Sequence, residues 1–383
     1  MVIVNPLTQL DLDTLRRRRS MKWLRYPADV LPMWVAEMDT PLAPPVAEAL
    51  ERAVRLGDTG YAQLDRLAEA FAGFAYNRFG WWPDPGHCAL VGDVAQGILE
   101  VLDIVTERGD VVLIGAPTYS PFLRIIPRAG RTLRENPMVR GADGRYRLDL
   151  DRLASDLAAP DVKAYLLVNP HNPAGTVPTR DELVAVATLC EEHGVRLLSD
   201  EIHAPLVHPG AEFVPLLTLP EAQRAIVFVS ASKAWNLAGL KTALAVAGSA
   251  TVGDLRSIPA DAEIAAGIFG IIASEAAFRA GGPWLDDLLA GLDQNRVLLE
   301  SLFAKYLPGI GYSPPEATFL AWLDCADLGL GDDPAAVFLE RGRVALSPGH
   351  EFGPMGRGYA RLNFATGPEI LSEGVQRMAA ALG

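Results

Sequence analysis

Short apolar runs that alternate with amphipathic helical segments constrain the fold of this chain more than any other feature of its sequence. The runs are VVLIGAP (111–117), AYLLVNP (164–170), VRLLSDE (195–201), AIVFVSAS (225–232) and TALAVAG (242–248). The segment 179–194 between two of them has a helix start signal at Thr179 and Glu182 and a stop signal at Gly194. Alternating strands and helices are typical of right-handed βαβ units. The sequence therefore predicts an α/β fold around a mostly parallel sheet that is covered on both faces.

The pattern changes twice along the 383 residues, which predicts three regions. Residues 1–45 are rich in Pro and Trp and indicate an extended arm or a part of a smaller domain. Residues 46–280 carry the alternating pattern and form the predicted large domain. Residues 281–383 begin with a long helical run and continue with weaker strands at 318–324 and 359–365, which indicates a smaller α+β domain.

Charge and cysteine use argue against several classes of protein. The formal net charge of −13 and the pI of about 5.0 argue against nucleic acid as a partner, because phosphate binding needs clustered Lys and Arg. The three cysteines are far apart and no CxxC or HExxH spacing occurs, which indicates neither a disulfide framework nor a metal site. The sequence shows no signal-peptide pattern and no apolar stretch long enough to span a bilayer. We expect a cytoplasmic protein that binds no membrane.

Polar side chains follow three consecutive apolar runs at the point where each predicted strand ends. They are Asn169 and Asn172 after the first, Asp200, Glu201 and His203 after the second, and Ser230, Ser232 and Lys233 after the third. Because ligands of parallel sheets bind beyond the carboxyl ends of the strands, we expect these groups to lie together at one edge. Lysine is almost never buried without a reason, so Lys233 after an all-apolar run indicates a chemical role.

Pyridoxal 5′-phosphate (PLP) is the cofactor whose chemistry needs this set of groups. Lys233 would bond covalently to its aldehyde. Asp200 would face the pyridine nitrogen and hold a proton there, because an adjacent anion favours the cationic form. Asn172 would donate to the phenolate oxygen of the ring, while Ser230 and Ser232 would contribute hydroxyls near the phosphate.

Several motifs, taken in order, extend this prediction to nearly the whole chain. They are LPMWVAEMDTPLAPPV (31–46), GDTGYA (57–62), NPHNPAGTVPTRDEL (169–183), SDEIHAPLVHPG (199–210), SASKAWNLAGLK (230–241) and GRGYARLNFA (356–365). With them the sequence resembles the fold type I PLP enzymes of the class I/II aminotransferase superfamily, and most of all the MalY/PatB-type cystathionine β-lyase branch. The resemblance implies a seven-stranded sheet in the large domain and a homodimer whose subunits share each active site.

The resemblance also implies roles for residues that do not lie at the three strand ends. Tyr119 would stack its ring on the pyridine, as a third catalytic residue beside Lys233 and Asp200. Backbone N–H groups at Val94, Ala95 and Gln96, where a helix begins, would bind the phosphate. Tyr61 would reach the phosphate from the neighbouring subunit. Arg361 would bind the α-carboxylate of the substrate with its two-pronged guanidinium. The substrate-binding set is expected to be Arg361, Asn172, Trp34 and Tyr61.

The sequence departs from the wider superfamily at three positions. Many aminotransferases carry Tyr where His203 stands, whereas His is typical of the lyase branch and would donate to the phenolate oxygen. Many carry Arg at the position of Lys241, so phosphate contact by Lys241 is left open. The branch usually has Asp where Glu37 stands, and we assign Glu37 no role.

The predicted activity is α,β-elimination. An L-cysteine S-conjugate such as L-cystathionine would give a thiol, pyruvate and ammonia, with Lys233 as the base that removes the Cα proton. A class I/II aminotransferase would use the same residues and remains an alternative. A non-catalytic regulatory protein on the same fold is a third, although the retention of both Lys233 and Asp200 argues against it.

Overall fold

The computed structural model of the chain describes residues 4–64 and 66–383. Its strands are β1 (Leu31–Pro32), β2 (Cys88–Val91), β3 (Val111–Ala116), β4 (Thr132–Pro137), β5 (Val139–Arg140), β6 (Tyr146–Arg147), β7 (Val162–Val168), β8 (Arg196–Asp200), β9 (Ile226–Val229), β10 (Ala243–Ala247), β11 (Gly311–Tyr312), β12 (Leu320–Asp324), β13 (Val344–Ala345), β14 (Ser347–Pro348) and β15 (Tyr359–Asn363). Its α-helices are α1 (Leu12–Arg16), α2 (Met21–Leu24), α3 (Pro44–Leu56), α4 (Leu67–Phe79), α5 (Val94–Val105), α6 (Phe122–Arg128), α7 (Leu150–Leu157), α8 (Arg180–Glu192), α9 (Val252–Leu255), α10 (Ala260–Ile264), α11 (Ile268–Ala280), α12 (Gly282–Tyr306), α13 (Pro334–Gly342) and α14 (Pro368–Ala380). Short 3₁₀ helices lie at Pro6–Thr8, Pro85–His87, Ala204–Leu206, Leu216–Thr218, Pro220–Ala222, Ala238–Leu240, Ala326–Leu328, Gly349–Phe352 and Pro354–Gly356.

A seven-stranded sheet lies at the centre of the larger part of the molecule, in the order β2-β10-β9-β8-β7-β3-β4. Its five strands from β9 to β4 run parallel, and β10 runs antiparallel to both of its neighbours. This arrangement confirms the predicted mostly parallel seven-stranded sheet of an α/β fold.

The sheet is buried on both faces because its strands carry apolar side chains at successive positions. In β3, Val111 and Leu113 pack into one core with α4 and α8, while Val112 and Ile114 pack into a second core with α5 and α6. Successive side chains of a strand point to opposite faces, so an unbroken apolar run fills both layers. Within the described ranges, no helix is long and apolar enough to cross a membrane.

A four-stranded antiparallel sheet, in the order β11-β12-β15-β14, forms a second unit with the C-terminal helices. The N-terminal strand β1 pairs in parallel with β13, so the beginning of the chain lies beside this second unit. The domain boundaries at residues 45 and 280 stay a prediction.

Register places the predicted site residues at one edge of the large sheet. Val168, Asp200 and Phe228 are neighbours across β7, β8 and β9. The residues that follow them therefore leave the sheet together at its carboxyl edge, where parallel sheets bind ligands.

Candidate active site

A cavity of about 140 Å³ lies at this edge of the sheet. It is roughly ten times larger than the space that one buried water requires, so it accommodates a small organic molecule. Nine of the predicted residues line it: Val94, Ala95, Tyr119, Asn172, Asp200, His203, Ser232, Lys233 and Lys241.

Lys233 is the amine of the cavity, and its Nζ donates a hydrogen bond to the carbonyl oxygen of Ala36 at 3.0 Å. Burial lowers the pKa of Lys233 to about 8, and the positive charge of Arg361 contributes to the same shift. Near neutral pH a much larger share of this amine is therefore uncharged than in an exposed lysine, which makes it a better nucleophile and base.

Asp200 is the carboxylate of the cavity and is only 5% exposed. Its Oδ1 accepts a hydrogen bond from the Ile202 amide at 3.1 Å. Burial raises the pKa of Asp200 to about 7, although the Ile202 amide and Lys233 oppose that shift. A cation placed against Asp200 would restore the ionised form, because an opposite charge favours it.

His203 and Asn172 supply neutral polar groups to the same space. Burial lowers the pKa of His203 to about 3, so its imidazole is uncharged, and its Nδ1 is buried with no hydrogen-bond partner in the described part of the chain. Asn172 is 4% exposed and its Oδ1 accepts from Nη1 of Arg361 at 3.0 Å. The Asn172 amide is thereby oriented by the guanidinium.

Arg361 lies in β15 and is 5% exposed, so the small sheet delivers a buried cation beside the cavity. Its Nη2 donates to the carbonyl of Trp34 at 3.1 Å and to Oγ of Ser347 at 3.2 Å, and its guanidinium carbon lies 4.7 Å from the ring of Phe352. Burial lowers the pKa of Arg361 to about 10, which leaves it charged at neutral pH. Its Nε is buried without a partner among the described residues, so the group retains capacity to bind an anion.

The amino end of α5 forms another wall of the cavity through Val94 and Ala95. Asp93 caps this helix by accepting the Gln96 amide on Oδ1 at 2.8 Å. The predicted phosphate contact of the Gln96 N–H stays a prediction, and in this structure the Asp93 side chain accepts from that donor. Lys241 also lines the cavity, and its Nζ donates to Oδ2 of Asp93 at 2.8 Å.

The phosphate role of Ser230 stays a prediction, and in this structure its hydroxyl has backbone partners. Its hydroxyl donates to the carbonyl of Thr242 at 2.6 Å and accepts from the amide of Ser232 at 3.1 Å. It lines a separate apolar void of about 10 Å³, too small for more than a water. Ser230 therefore fixes the turn that places Ser232 at the cavity.

Two predicted substrate residues, Trp34 and Tyr61, do not line this cavity, and their roles stay predictions. The ring of Trp34 packs edge-on against Tyr26, with ring centres 5.8 Å apart, and it is the Trp34 carbonyl that meets Arg361. Tyr61 is 88% exposed, so the prediction that it serves a neighbouring subunit is compatible with its position.

Tyr119 lines the cavity directly after β3, and its ring packs edge-on against Phe122 at 5.2 Å between ring centres. Burial raises the pKa of its hydroxyl, so the group stays protonated at neutral pH. An aromatic face held in this way is suited to stacking against a planar ring.

Sequence reasoning missed seven residues of the cavity wall, among them Ala36, Asp93 and Thr242. Asp93 carries a signal that could have found it, because it precedes an apolar helical run as a capping residue. Ala36 and Thr242 carry none, since they act through backbone position.

The groups at the cavity fit PLP. An amine of lowered pKa is available for its aldehyde, and a carboxyl group whose pKa is raised by burial is available for its ring nitrogen. The unpartnered His203 Nδ1 is available to a ring oxygen, and a helix amino end with Lys241 suits a phosphate.

Comparison with known proteins agrees with this chemistry. Residues 37–378 match the family described as aminotransferase class I and II, and the chain belongs to that family. A Mycobacterium leprae protein is 48% identical, over 99% of this chain and 98% of its own length. The cystathionine beta-lyase PatB of Bacillus subtilis is 34% identical, over 95% of this chain and 97% of its own. The PLP-bound C-S lyase of Staphylococcus hominis superimposes with a TM-score of 0.91 at 26% identity, covering 99% of both chains.

Proposed function

We propose that this protein is a PLP-dependent carbon–sulfur β-lyase that cleaves L-cystathionine or a related L-cysteine S-conjugate to a thiol, pyruvate and ammonia. The observation that carries the proposal is the presence of Lys233 and Asp200 in one cavity, with Arg361 hydrogen-bonded to Asn172 of the cavity wall. The relationship to PatB favours elimination over other reactions of this family.

When bound, PLP supplies an electron sink that stabilises negative charge at the substrate Cα. Lys233 would hold the cofactor covalently, and its freed amine then removes the Cα proton as a general base. Asp200 would hold a proton on the pyridine nitrogen, and this pairing would offset the cost of ionising the buried carboxylate. His203 and Asn172 would donate to the ring oxygen, while Tyr119 would support the ring face.

Arg361 would bind the substrate's α-carboxylate and so direct the Cα proton to Lys233. The orientation of the guanidinium is fixed by its contacts with Asn172, the Trp34 carbonyl and Ser347, which lowers the entropy lost on binding. Once the proton is lost, the Cβ–S bond breaks and the sulfur leaves with the electron pair as a thiolate. Water then releases ammonia and pyruvate.

The substrate test supplies L-cystathionine to the purified holoenzyme with no keto acid, and it measures free thiol and pyruvate. We expect both products in equal amounts. Amino-group transfer that depends on an added keto acid, with no thiol released, would instead identify an aminotransferase. PLP binding without either activity would favour a regulatory protein.

A matched pair of variants tests the role of Lys233. Lys233→Ala should abolish turnover and the mass increase that borohydride produces on the PLP-loaded chain. The exposed Lys163→Ala is the control and should keep both. Full lyase activity in Lys233→Ala would refute the assignment.

We also propose that the enzyme is a cytoplasmic homodimer with shared active sites. Exposed apolar side chains in and beside α3 and in α10, which we call the α3 surface, support a second copy as the occupant. They are Leu42, Val54, Leu56, Tyr61 and Ile264. The Tyr61 loop is joined to α10 within it, because the Leu64 amide donates to Glu263 at 2.7 Å.

Mixed dimers test this arrangement. Tyr61→Ala and Lys233→Ala each damage every site of their own homodimer, but a dimer of the two variants contains one intact site. Random pairing should therefore restore roughly a quarter of wild-type activity. No recovery from an equal mixture, after subunit exchange is verified by mass, would place Tyr61 outside the site.

A further inference from the structure

The two cations that would contact the substrate both bond to one short stretch of backbone, which we call the bridging segment (Trp34–Thr40). Lys233 donates to the Ala36 carbonyl at 3.0 Å, and Arg361 donates to the Trp34 carbonyl at 3.1 Å. The relative position of these two side chains therefore depends on where the bridging segment lies.

Asn236, three residues after Lys233, holds this segment from the side of the large sheet. Its Oδ1 accepts from the Met38 amide at 2.8 Å, and its Nδ2 donates to the Met38 carbonyl at 2.9 Å. The side-chain amide pairs with both backbone groups of one residue, as a strand neighbour would. Asn236 also has φ of 58°, a left-handed conformation that non-glycine residues rarely adopt without a specific constraint.

Asn363, two residues after Arg361, holds the same segment from the side of the small sheet. Its Nδ2 donates to the carbonyls of Val35 at 2.7 Å and Glu37 at 2.6 Å. Each element that carries a substrate-binding cation thus also carries an asparagine that binds the bridging segment. The pairing of cation and asparagine occurs twice, once in the turn after β9 of the large sheet and once in β15 of the small sheet.

We propose that Asn236 is a positioning residue for Lys233: its amide fixes Met38 and thereby holds the Ala36 carbonyl as the acceptor of the Lys233 ammonium. The inference rests on the proposed role of Lys233. It adds Asn236, which has no part in the mechanism proposed above. The Ala36 carbonyl accepts a hydrogen bond from Lys233 Nζ whenever Lys233 is not bonded to cofactor. This bond keeps Nζ in one position between proton transfers.

The Ala36 carbonyl affects the charge of Lys233 as well as its place. A carbonyl acceptor favours the ammonium form, and it acts in the same direction as the carboxylates of Glu37 and Asp200. Burial, Arg361 and Lys241 act in the opposite direction, and His203 lies near enough to Lys233 to be affected by it. If the carbonyl moves away, the pKa of Lys233 should fall below its value of about 8.

Competitive acetylation of the full-length, cofactor-free chain measures this pKa directly. Trace acetic anhydride reacts with neutral amines only, and peptide mass spectrometry reports the extent at each lysine as pH is varied. The chain has five lysines, of which Lys163 and Lys305 are exposed and serve as internal references. We expect a midpoint near 8 for Lys233 in the wild type.

Asn236→Gly removes both amide bonds yet permits the left-handed backbone, so it separates hydrogen bonding from backbone strain. We expect the Lys233 midpoint to fall by roughly one pH unit, the effect of losing one hydrogen bond to a charged group, with the references unchanged. Asn236→Asp keeps only the acceptor for the Met38 amide and should give a smaller shift after correction for its added charge.

Gln223→Ala is the matched control, since Gln223 binds the carbonyls of Leu217 and Leu219 through its Nε2 at 3.1 and 2.9 Å, far along the chain from the cavity. It should leave the Lys233 midpoint unchanged. An Asn236→Gly chain with wild-type circular dichroism and a wild-type midpoint would overturn the inference. Borohydride trapping of PLP on Lys233 is measured in parallel, because its failure would refute the proposed function and leave the acetylation result valid.

Discussion

Replacement of Asp200 by Asn should stabilise the cofactor-free chain at neutral pH while removing the partner of the pyridine nitrogen. Asp200 is 5% exposed, and burial raises its pKa to about 7. In the unfolded chain the same group titrates near 3.9. Between these two pH values the folded chain binds a proton that the unfolded chain lacks, so its stability falls as pH rises through this window.

The size of the effect follows from the shift of about 3 pKa units. Each unit corresponds to about 1.36 kcal/mol, so ionising Asp200 costs the folded chain about 4 kcal/mol at most. Asparagine has a similar shape and no charge. The unfolding free energy of Asp200→Asn should therefore match that of the wild type near pH 4 and exceed it by a few kcal/mol above pH 7.5.

Urea unfolding of both cofactor-free chains, followed by tryptophan fluorescence at pH values from 4.5 to 8, measures this difference. The exposed Asp327→Asn is the control and should show no growth of the difference with pH. With PLP bound, the wild type should become more stable than Asp200→Asn, because only the wild type gains an ion pair with the cofactor ring. A difference between wild type and Asp200→Asn that stays constant over this pH range would refute the assignment of a costly, buried carboxylate.

Three further predictions concern other walls of the cavity. Arg361→Lys should lower kcat/KM for L-cystathionine by about 10- to 100-fold, because an ammonium cannot replace the two-pronged guanidinium; an unchanged value would contradict carboxylate binding there. Asp93→Asn should tighten PLP binding to the cofactor-free chain severalfold in a fluorescence titration, since it keeps a helix cap, removes a negative charge near the phosphate and releases Lys241. Tyr119→Phe should bind PLP as the wild type does, whereas Tyr119→Ala should bind it at least several-fold more weakly; equal loss in both would assign the hydroxyl rather than the ring.

The strand ends were the part of the site that sequence could predict. Asp200 and Lys233 follow apolar runs of parallel strands, and the sheet brings those ends together whatever else the chain does. The hydrogen-bond partner of each donor near the cavity was harder to predict, because neighbouring groups of the protein compete for these donors. Ser230 bonds to the Thr242 carbonyl of the chain entering β10, and Gln96 bonds to its own helix cap.

Individual contacts between remote segments could not be predicted, although the sequence did indicate that residues 1–45 belong with the smaller domain. Lys233 and Ala36 are 197 positions apart, and the acceptor is a carbonyl that every residue possesses. The pairing of β1 with β13, which brings the N-terminal residues to the small sheet, left no pattern in a two-residue strand. Local periodicity reports on burial, whereas such pairings depend on the completed tertiary structure.

Glu37 has a position of special use to protein engineers. Its own carbonyl and that of Val35 bind Asn363, while its carboxylate makes no hydrogen bond or ion pair within residues 4–64 and 66–383. A substitution that leaves the backbone undistorted keeps its main-chain oxygens. The side chain at position 37 can therefore be changed while the hydrogen bonds to Asn363 are retained. Substitution at position 37 would thus remove a carboxylate that favours the charged form of Lys233 and leave the hydrogen bonds to Asn363 in place.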